Sequence, residues 1–474
     1  MVFNEGIIII FLMLMIYMGF EAFKHKHNIS FGHEASLVTL VGFIISYIFL
    51  ATGTKEFHQI MKFNDDLFFY VCLPPIVFAS GFNMQRKKFF ANFTNIVLFG
   101  VVGTFIAFSV FSGLTILYID LYRDGELTQI DGSTGEESPL RMTTMEVLLM
   151  CSLLCSSDVI AAVSMINPHE QPKLFSLVFG EGIINDAVSI ILFNTVMQFT
   201  KKNTEFTTGS VVVIANDFIY LGFMSFLIGL FFALLCSYLL KRVRALTKTP
   251  VSECAMIFCF GYVAYITAEL QHLSGIITLL TSGVVMAQYA WFNLSPQGKQ
   301  SSVVIFQFLG FLAEGFVFAY LGLTFFAYRT MPWSYDLIIL ELCVILIGRG
   351  MGTFGLIGLM KCCKYEKNHP SPISCKELCF IYYAGLIRGA IAFGLVLRIN
   401  PDFANRSVIV TTCLSLVVFT TIFFGSTVGL LGKCLFRKPT PDVEEPEEEA
   451  SNSSSVMESA ESFMSDSDKS SHRE

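Results

Sequence analysis

The chain has 474 residues, of which 54% are hydrophobic and only 15% are charged, and its formal net charge is −7. Ordinary soluble domains carry about 25% charged residues, so this composition excludes a soluble enzyme and predicts an all-α polytopic membrane protein with no nucleic-acid partner. The thirteen cysteines lie mostly inside apolar runs and form no CxxC pair. Their distribution argues against a zinc site and against a disulfide framework.

Thirteen apolar runs are long enough, or nearly long enough, to cross a bilayer. The first run is expected to be a retained span, because an acid precedes it and bases follow it, the reverse of a signal peptide. In chain order the runs cover residues 6–20, 36–53, 66–82, 93–120, 143–166, 174–199, 209–240, 252–271, 275–292, 302–328, 335–361, 377–398 and 406–434.

The basic residues predict the orientation of these spans. If the C-terminus is cytosolic, eighteen Lys and Arg residues fall in inner loops and nine in outer loops. This two-to-one bias favours an outer or lumenal N-terminus and a cytosolic C-terminus. The acidic, turn-rich segment 121–140 then lies outside. We expect residues 1–434 to form the transmembrane domain and the acidic, Ser-rich residues 435–474 to form a disordered cytosolic tail.

Six charged residues lie deep inside these spans, at a depth of roughly 10–18 Å from their cytosolic ends at 1.5 Å per residue. The six residues are Asp158, Glu181, Asp186, Glu314, Arg349 and Arg388. Two arginines can neutralise two of the four acids, and arginine inside a bilayer requires such a partner. The two remaining carboxylates must hold protons or a mobile cation. We therefore predict cation/proton exchange, and the alternative is that the charges are static ion pairs between helices.

The spacing of small and polar residues locates the predicted site. Glu181 and Asn185 share one face of span six, whereas Asp186 is rotated by about 100° from Asn185. Span five clusters Ser156, Ser157 and Asp158, and such a cluster favours a break in the helix that exposes carbonyl oxygens.

Span twelve carries Arg388 between Gly385 and Gly389, so it is a second interrupted, charged span. Two interrupted helices in corresponding positions are typical of an inverted-repeat transporter.

Four motifs in chain order resemble those of the eukaryotic sodium/hydrogen exchangers, in the monovalent cation/proton antiporter superfamily. "FGEGIINDAVSIILFN" resembles their FGES-x-x-ND helix, and "AGLIRGAIAFGL" resembles their GLRGAIAFAL helix. "LAEGFVFAYLGL" and "LPPIVFASGF" resemble two further segments, and the match extends over about residues 66–430. The resemblance implies an inverted-repeat antiporter fold, with unwound spans five and twelve crossing each other. It also implies an ion-transport bundle, a dimerisation bundle, a homodimer and elevator-like movement.

The resemblance also implies roles for individual residues. Asp186 matches the aspartate that binds and exchanges the ion, and Asn185 matches its partner, which is associated with electroneutral exchange. Asp158 matches the aspartate of the unwound fifth helix. Together with the residues of the cluster in span five, the predicted ion site comprises Asp186, Asn185, Asp158 and Ser157. Structural or ion-pair roles fall to Glu181 with Arg349, to Arg388 and to Glu314.

These residues predict electroneutral exchange of Na⁺ or K⁺ for H⁺ without a cofactor or resident metal, in the plasma membrane or in an endosomal or vacuolar membrane. A cation channel would place its acids in a symmetric ring, whereas here they lie on non-equivalent spans. An intramembrane enzyme would need a catalytic constellation, and neither HExxH nor GxSxG occurs.

A non-transporting sensor or scaffold stays open as an alternative because of Ala79 and Val159, which are two of four positions that depart from the family pattern. The departures are Ala79, Val159, Gly182 and Gly315.

Overall fold

The computed structural model describes most of the chain. The described residues are 2–27, 32–52, 65–84, 86–122, 127–158, 160–163, 166, 171–201, 208–243, 249–362, 373–401 and 403–436. Val159 and the predicted tail beyond residue 436 lie outside these ranges.

Helices account for nearly all of the regular structure. They are α1 (Val2–His27), α2 (Glu34–Ala51), α3 (Asp65–Leu67), α4 (Leu73–Phe82), α5 (Arg86–Ala91), α6 (Phe93–Val97), α7 (Thr104–Tyr122), α8 (Thr144–Leu154), α9 (Ile160–Val163), α10 (Pro172–Lys201), α11 (Thr208–Arg242), α12 (Pro250–Leu270), α13 (Gly275–Tyr289), α14 (Pro296–Thr324), α15 (Tyr335–Gly350), α16 (Leu356–Cys362), α17 (Cys375–Ala384), α18 (Ala390–Leu397) and α19 (Arg406–Phe436). Single π-helical stretches at Phe68–Cys72, Leu98–Gly103 and Met351–Gly355 join α3 to α4, α6 to α7 and α15 to α16.

The predicted spans match this set of helices. Among the described residues, nine helices are long and apolar enough to cross a membrane, and three shorter apolar helices occupy the third, fifth and ninth predicted runs. The twelfth run is divided between α17 and α18. The all-α membrane fold with about thirteen spans is therefore confirmed.

Spans five and twelve are both interrupted, as the sequence predicted. α8 begins at a capping box between Thr143 and Glu146 and ends at Leu154, and the next described helix begins at Ile160. α17 begins at an equivalent capping box between Ser374 and Glu377. It ends at Ala384, and α18 follows after five residues. Each interruption leaves main-chain groups without helical partners in the middle of a span, where they must be satisfied by other protein groups.

The predicted outer segment contains an element that the sequence analysis did not foresee. Two antiparallel strands, β1 (Leu127–Ile130) and β2 (Glu137–Leu140), pair with Leu127 opposite Leu140. The hairpin is joined to the start of α15, because the Thr128 hydroxyl donates to Asp336 at 2.6 Å and the Ser334 hydroxyl donates to the Thr128 carbonyl at 2.7 Å.

The chain divides into two compact units. The first contains Met1–Leu73, Lys88–Met224 and Leu312–Leu435, and it includes all six charges that the sequence analysis placed deep in spans. The second contains Pro74–Lys87, Ser225–Phe311 and Phe436–Glu474. An aromatic cluster forms part of the core of the second unit, where the Phe306 ring lies 5.0 Å from the rings of both Phe78 and Phe82. The assignment of an ion-transport bundle and a dimerisation bundle stays a prediction.

Candidate ion-binding site

The two interrupted spans cross at their unwound segments. The Asp158 amide donates a hydrogen bond of 2.8 Å to the Ile387 carbonyl, so each unwound segment provides a hydrogen-bond partner for a main-chain group of the other. Gly389 lies against Asp158, and a Cβ atom at this glycine would lie 2.8 Å from the Asp158 Cβ atom. A residue without a side chain is therefore needed for the close approach at the crossing.

α10 presents Asp186 and Asn185 to the interruption in span five. The Ser156 hydroxyl donates to Asp186 Oδ1 at 2.6 Å. Asn185 Nδ2 donates to the Cys155 carbonyl at 3.1 Å and to the Ser157 hydroxyl at 2.6 Å. A carbonyl oxygen can only accept, so the contact with Cys155 fixes which end of the Asn185 amide points toward span five.

The other end of the Asn185 amide contacts α7. The Thr104 hydroxyl lies 2.7 Å from Asn185 Oδ1 and 2.6 Å from the Gly100 carbonyl, and it shares its one proton between the two acceptors. Asn185 is 1% exposed, and both ends of its amide are used. In the described conformation Asn185 therefore holds the unwound segment of span five against α10 and α7.

Glu181 and Arg349 form an ion pair one helical turn before Asn185. Arg349 Nη2 donates to Glu181 Oε1 and also lies 3.3 Å from the Ile381 carbonyl. Gly385 lies directly against the guanidinium, where a Cβ atom would overlap it. The pair therefore connects α10 to α15 and to the end of α17, beside the second interruption.

Arg388 is held at the crossing by contacts other than an ion pair. Its Nη1 donates to the Ser156 carbonyl at 3.0 Å, and its guanidinium lies 5.6 Å from the centre of the Phe111 ring. Arg388 makes no ion pair among the described residues, and its Nε and Nη2 atoms have no hydrogen-bond acceptor there. It is 1% exposed.

Glu314, on α14, likewise makes no ion pair or hydrogen bond with the described residues. The carboxylates of Asp158 and Glu34 interact with it electrostatically. Of the two deep arginines, Arg349 is the one that pairs directly with an acid within the described ranges. Asp158 and Asp186 are both partly exposed. The charge-bearing groups that the described residues place at the crossing are these two carboxylates and the Arg388 guanidinium.

Comparisons with known proteins identify the family to which the chain belongs. A sequence model described as "Sodium/hydrogen exchanger, transmembrane" matches residues 2–434. The chain belongs to the sodium/hydrogen exchanger family. Sodium/hydrogen exchanger 3 of Arabidopsis thaliana is 30% identical over 421 residues, which cover 86% of this chain and 79% of that protein. Sodium/hydrogen exchanger 8 of Homo sapiens is 32% identical over 417 residues, covering 86% of this chain and 67% of that protein.

A solved structure of the same architecture also matches this exchanger-family chain. The sodium proton antiporter MjNhaP1 from Methanocaldococcus jannaschii superposes with a TM-score of 0.65 at 15% sequence identity. The match covers 92% of this chain and 100% of that one. At this identity the likeness shows the fold, and it agrees with the crossed, interrupted helices described above.

Sequence reasoning did not identify two groups of residues around the site. Thr104 lies within an apolar run and was not singled out, although a hydroxyl in a membrane span commonly forms a hydrogen bond with a neighbouring helix. Thr420 and Thr421 of α19 hold the main chain of Arg388, since the Arg388 amide donates to the Thr420 hydroxyl and the Thr421 hydroxyl donates to the Arg388 carbonyl. The sequence feature that could have identified these two residues is a pair of adjacent threonines in the last span.

The departures from the family pattern have different surroundings. Ala79 lies in the second unit, where its methyl group would lie 2.9 Å from a Cβ atom at Gly310. Gly315, next to Glu314, makes room for the Tyr17 ring, which lies 2.9 Å from the position of the missing Cβ atom. Gly182 is buried within α10. Among the described residues, no group of three or more His, Cys, Asp or Glu side chains could hold a resident metal ion.

Proposed function

We propose that the protein exchanges Na⁺ or K⁺ for H⁺ across a membrane by alternating access. The observation that carries this proposal is the crossing of two interrupted spans beside Asp158 and Asp186. Carboxylate, hydroxyl and main-chain oxygens converge there from three elements, and the arginine at the crossing makes no ion pair with the part of the chain that the structure describes. Unwound segments at crossed helices are the places where membrane transporters bind small cations.

The exchange step follows from competition at one carboxylate. Asp186 loses its proton on one side of the membrane and takes a cation, with Asp158 and Ser157 as further oxygen ligands. The site then faces the other side, where a proton displaces the cation. Protons and cations compete because each occupies the same carboxylate oxygens and each neutralises the same charge. Asn185 acts in this cycle by holding Ser157 and the Cys155 carbonyl in position.

The charges at the crossing support a one-for-one stoichiometry. With Glu181 and Arg349 neutralising each other and Glu314 holding a proton on α14, the described residues at the crossing contribute the two carboxylates of Asp158 and Asp186 and the guanidinium of Arg388. The sum is −1 when both acids are ionised. One proton or one monovalent cation brings this sum to zero, so the two loaded states carry the same charge and exchange is electroneutral.

The protein is a multi-pass integral membrane protein, and its finer assignments belong to the same proposal. We place residues 1–434 in the transmembrane antiporter domain and residues 435–474 in a cytosolic tail, with the N-terminus on the outer or lumenal side. We also propose a homodimer with elevator-like movement, in the plasma membrane or in an endosomal or vacuolar membrane. The two-to-one distribution of basic loop residues supports the orientation, and the family resemblance supports the assembly.

The function can be tested in proteoliposomes loaded with a pH-sensitive dye. We expect an inward Na⁺ or K⁺ gradient to drive proton efflux. The rate should not change when a membrane potential is imposed with an ionophore for an ion that the protein does not transport. Cation flux without proton counterflow would indicate a channel and would contradict the proposal. Proton flux that varies with voltage would contradict the one-for-one stoichiometry alone. A comparison of Na⁺ with K⁺ across a pH series gives the preferred cation.

A further inference from the structure

Another carboxyl group is buried in the first unit, away from the crossing. Glu341 lies on α15, six residues after Tyr335, the first residue of this helix, and thus about 9 Å along the helix axis from its start. It is 0% exposed. Arg349 follows eight residues later on the same helix, about 12 Å further along the axis. Glu341 therefore lies between the β1–β2 hairpin, which contacts the start of α15, and the layer of the crossing.

The surroundings of Glu341 are polar but contain no base. The Thr115 hydroxyl on α7 donates to Glu341 Oε1 at 2.7 Å, whereas Glu341 Oε2 is buried without a hydrogen-bond partner. α7 otherwise contributes hydroxyl groups, and Ser112 and Thr115 both face the Cys151 thiol. Among the described residues, the titratable groups that interact with Glu341 are three thiols, those of Cys151 on α8, of Cys155 just after the end of α8, and of Cys413 on α19. Among the described residues no Lys or Arg acts on this carboxyl.

A static structural role does not account for this arrangement. A buried carboxylate without a cation and with one unsatisfied oxygen is costly, and such groups take up a proton instead. Structural buried carboxylates normally have hydrogen bonds to both oxygens. The exchange cycle at Asp186 and Asp158 does not use Glu341 either. The motifs that identify the family do not include this residue.

The helices that surround Glu341 also hold the crossing. Thr115 and Thr104 are eleven residues apart on α7, which is close to three full turns, so both hydroxyls lie on one face of the helix. Thr104 contacts Asn185, and Thr115 contacts Glu341. Phe111 lies between them on that face and carries its ring against Arg388. A charge that appears at Glu341 therefore acts on a helix that also positions the ion site.

We propose that Glu341 is a second proton-binding site, on the hairpin side of the crossing, and that it makes exchange depend on the pH of that side. In the described conformation the side chain is a neutral carboxylic acid. Deprotonation favours conformations that hydrate the pocket, because an unpaired carboxylate is stable only in contact with water. Loss of the proton thus shifts the conformational balance of the transporter. The part of the inference that concerns transport rests on the proposed exchange function.

Infrared difference spectroscopy of the lipid-reconstituted protein tests the proton directly. At neutral pH, we expect the wild type minus Glu341→Gln spectrum to contain the carbonyl band of one protonated carboxylic acid. The matched control is Asp336→Asn, which makes the same kind of change in the first turn of the same helix, where the side chain is partly exposed and contacts the hairpin, and its difference spectrum should lack that band. Thr115→Val keeps the acid and removes its hydrogen bond, so it should move the band without abolishing it. A spectrum in which Glu341 contributes a carboxylate overturns the proposal.

A transport measurement tests the consequence. With the pH fixed on the other side, the exchange rate of the wild type is recorded against pH on the hairpin side. We expect the Glu341→Gln profile to lose one titration step, whereas the Asp336→Asn profile keeps it. Identical profiles for Glu341→Gln and wild type would overturn the regulatory part. If the wild type carries the infrared band but shows no exchange, the proposed function fails and the proton site stands.

Discussion

The ion pair between Glu181 and Arg349 allows the most quantitative prediction. The two side chains are 3% and 8% exposed, so water neither screens their attraction nor solvates a partner left alone. Removing one member of such a pair costs about 3–5 kcal/mol, mainly because the remaining charge stays buried. The other contact of Arg349, with the Ile381 carbonyl, is 3.3 Å long and does not replace a carboxylate. We therefore expect Glu181→Gln and Arg349→Gln each to lower the free energy of unfolding by about 3–5 kcal/mol.

The double variant separates the pair from the packing of its members. Replacing both charges leaves no unpaired ion, so Glu181→Gln combined with Arg349→Gln should cost less than the sum of the single variants, with a coupling energy of about 3 kcal/mol. Unfolding can be followed in mixed micelles of SDS and a mild detergent by the fluorescence of the two tryptophans. Lys173→Gln is the matched control, since the Lys173–Glu377 pair is 3.4 Å long and its side chains are 26% and 20% exposed. Its expected cost is below about 1 kcal/mol.

Additive single effects would refute the ion-pair account of these two residues. Single costs below about 1 kcal/mol, close to that of the partly exposed control pair, would refute it as well.

Two further predictions concern the residues around the site and the response to pH. Thr104→Val removes the hydrogen bond to the buried Asn185 oxygen, which costs about 1–3 kcal/mol, so the KM for the cation should rise by roughly 5- to 150-fold. Thr104→Ser keeps the hydroxyl and should restore the wild-type KM. A normal KM for the valine variant would contradict the positioning role of Asn185. His33 lies just before α2, where its Nδ1 accepts from the Ala35 amide. Burial lowers the pKa of His33 to about 4, although the neighbouring Glu34 raises it, and the Lys24 charge adds a smaller lowering effect. The imidazole therefore stays neutral between about pH 5 and 8. His33→Asn keeps an acceptor for the Ala35 amide and should leave the pH profile of exchange unchanged. A shifted profile would contradict this assignment.

The sequence predicted the spans and their interruptions because both depend on local chemistry. A bilayer requires long apolar runs, and clustered Ser, Asp and Gly residues compete with the helical hydrogen bonds of those runs. The breaks after Leu154 and after Ala384 occur at such clusters. The hairpin at Leu127–Leu140 was not predicted, because its short strands are stabilised partly by contacts with Ser334 and Asp336, which are distant in sequence.

The candidate site was predicted as a set of residues but not as a set of contacts. The pair of Glu181 with Arg349 and the proximity of Asp158 to the second interruption agree with the expected groups. The surroundings of Arg388 differ from the expected ion pair, because the guanidinium lies on Phe111 and a main-chain carbonyl. Glu341 was not identified, because it lies near the end of its span in sequence. Its burial comes from α7, α8 and α19, whose packing the sequence does not display.

The most direct test of the account is Na⁺- or K⁺-driven proton flux with Asp186→Asn in proteoliposomes. Asparagine keeps the size of the side chain and can still accept from the Ser156 hydroxyl, but it cannot hold the exchanged proton or the charge that attracts the cation. We expect flux to fall to the level of liposomes without protein while the variant stays folded. Flux that continues at the wild-type rate would contradict the assignment of Asp186 as the exchanging carboxylate.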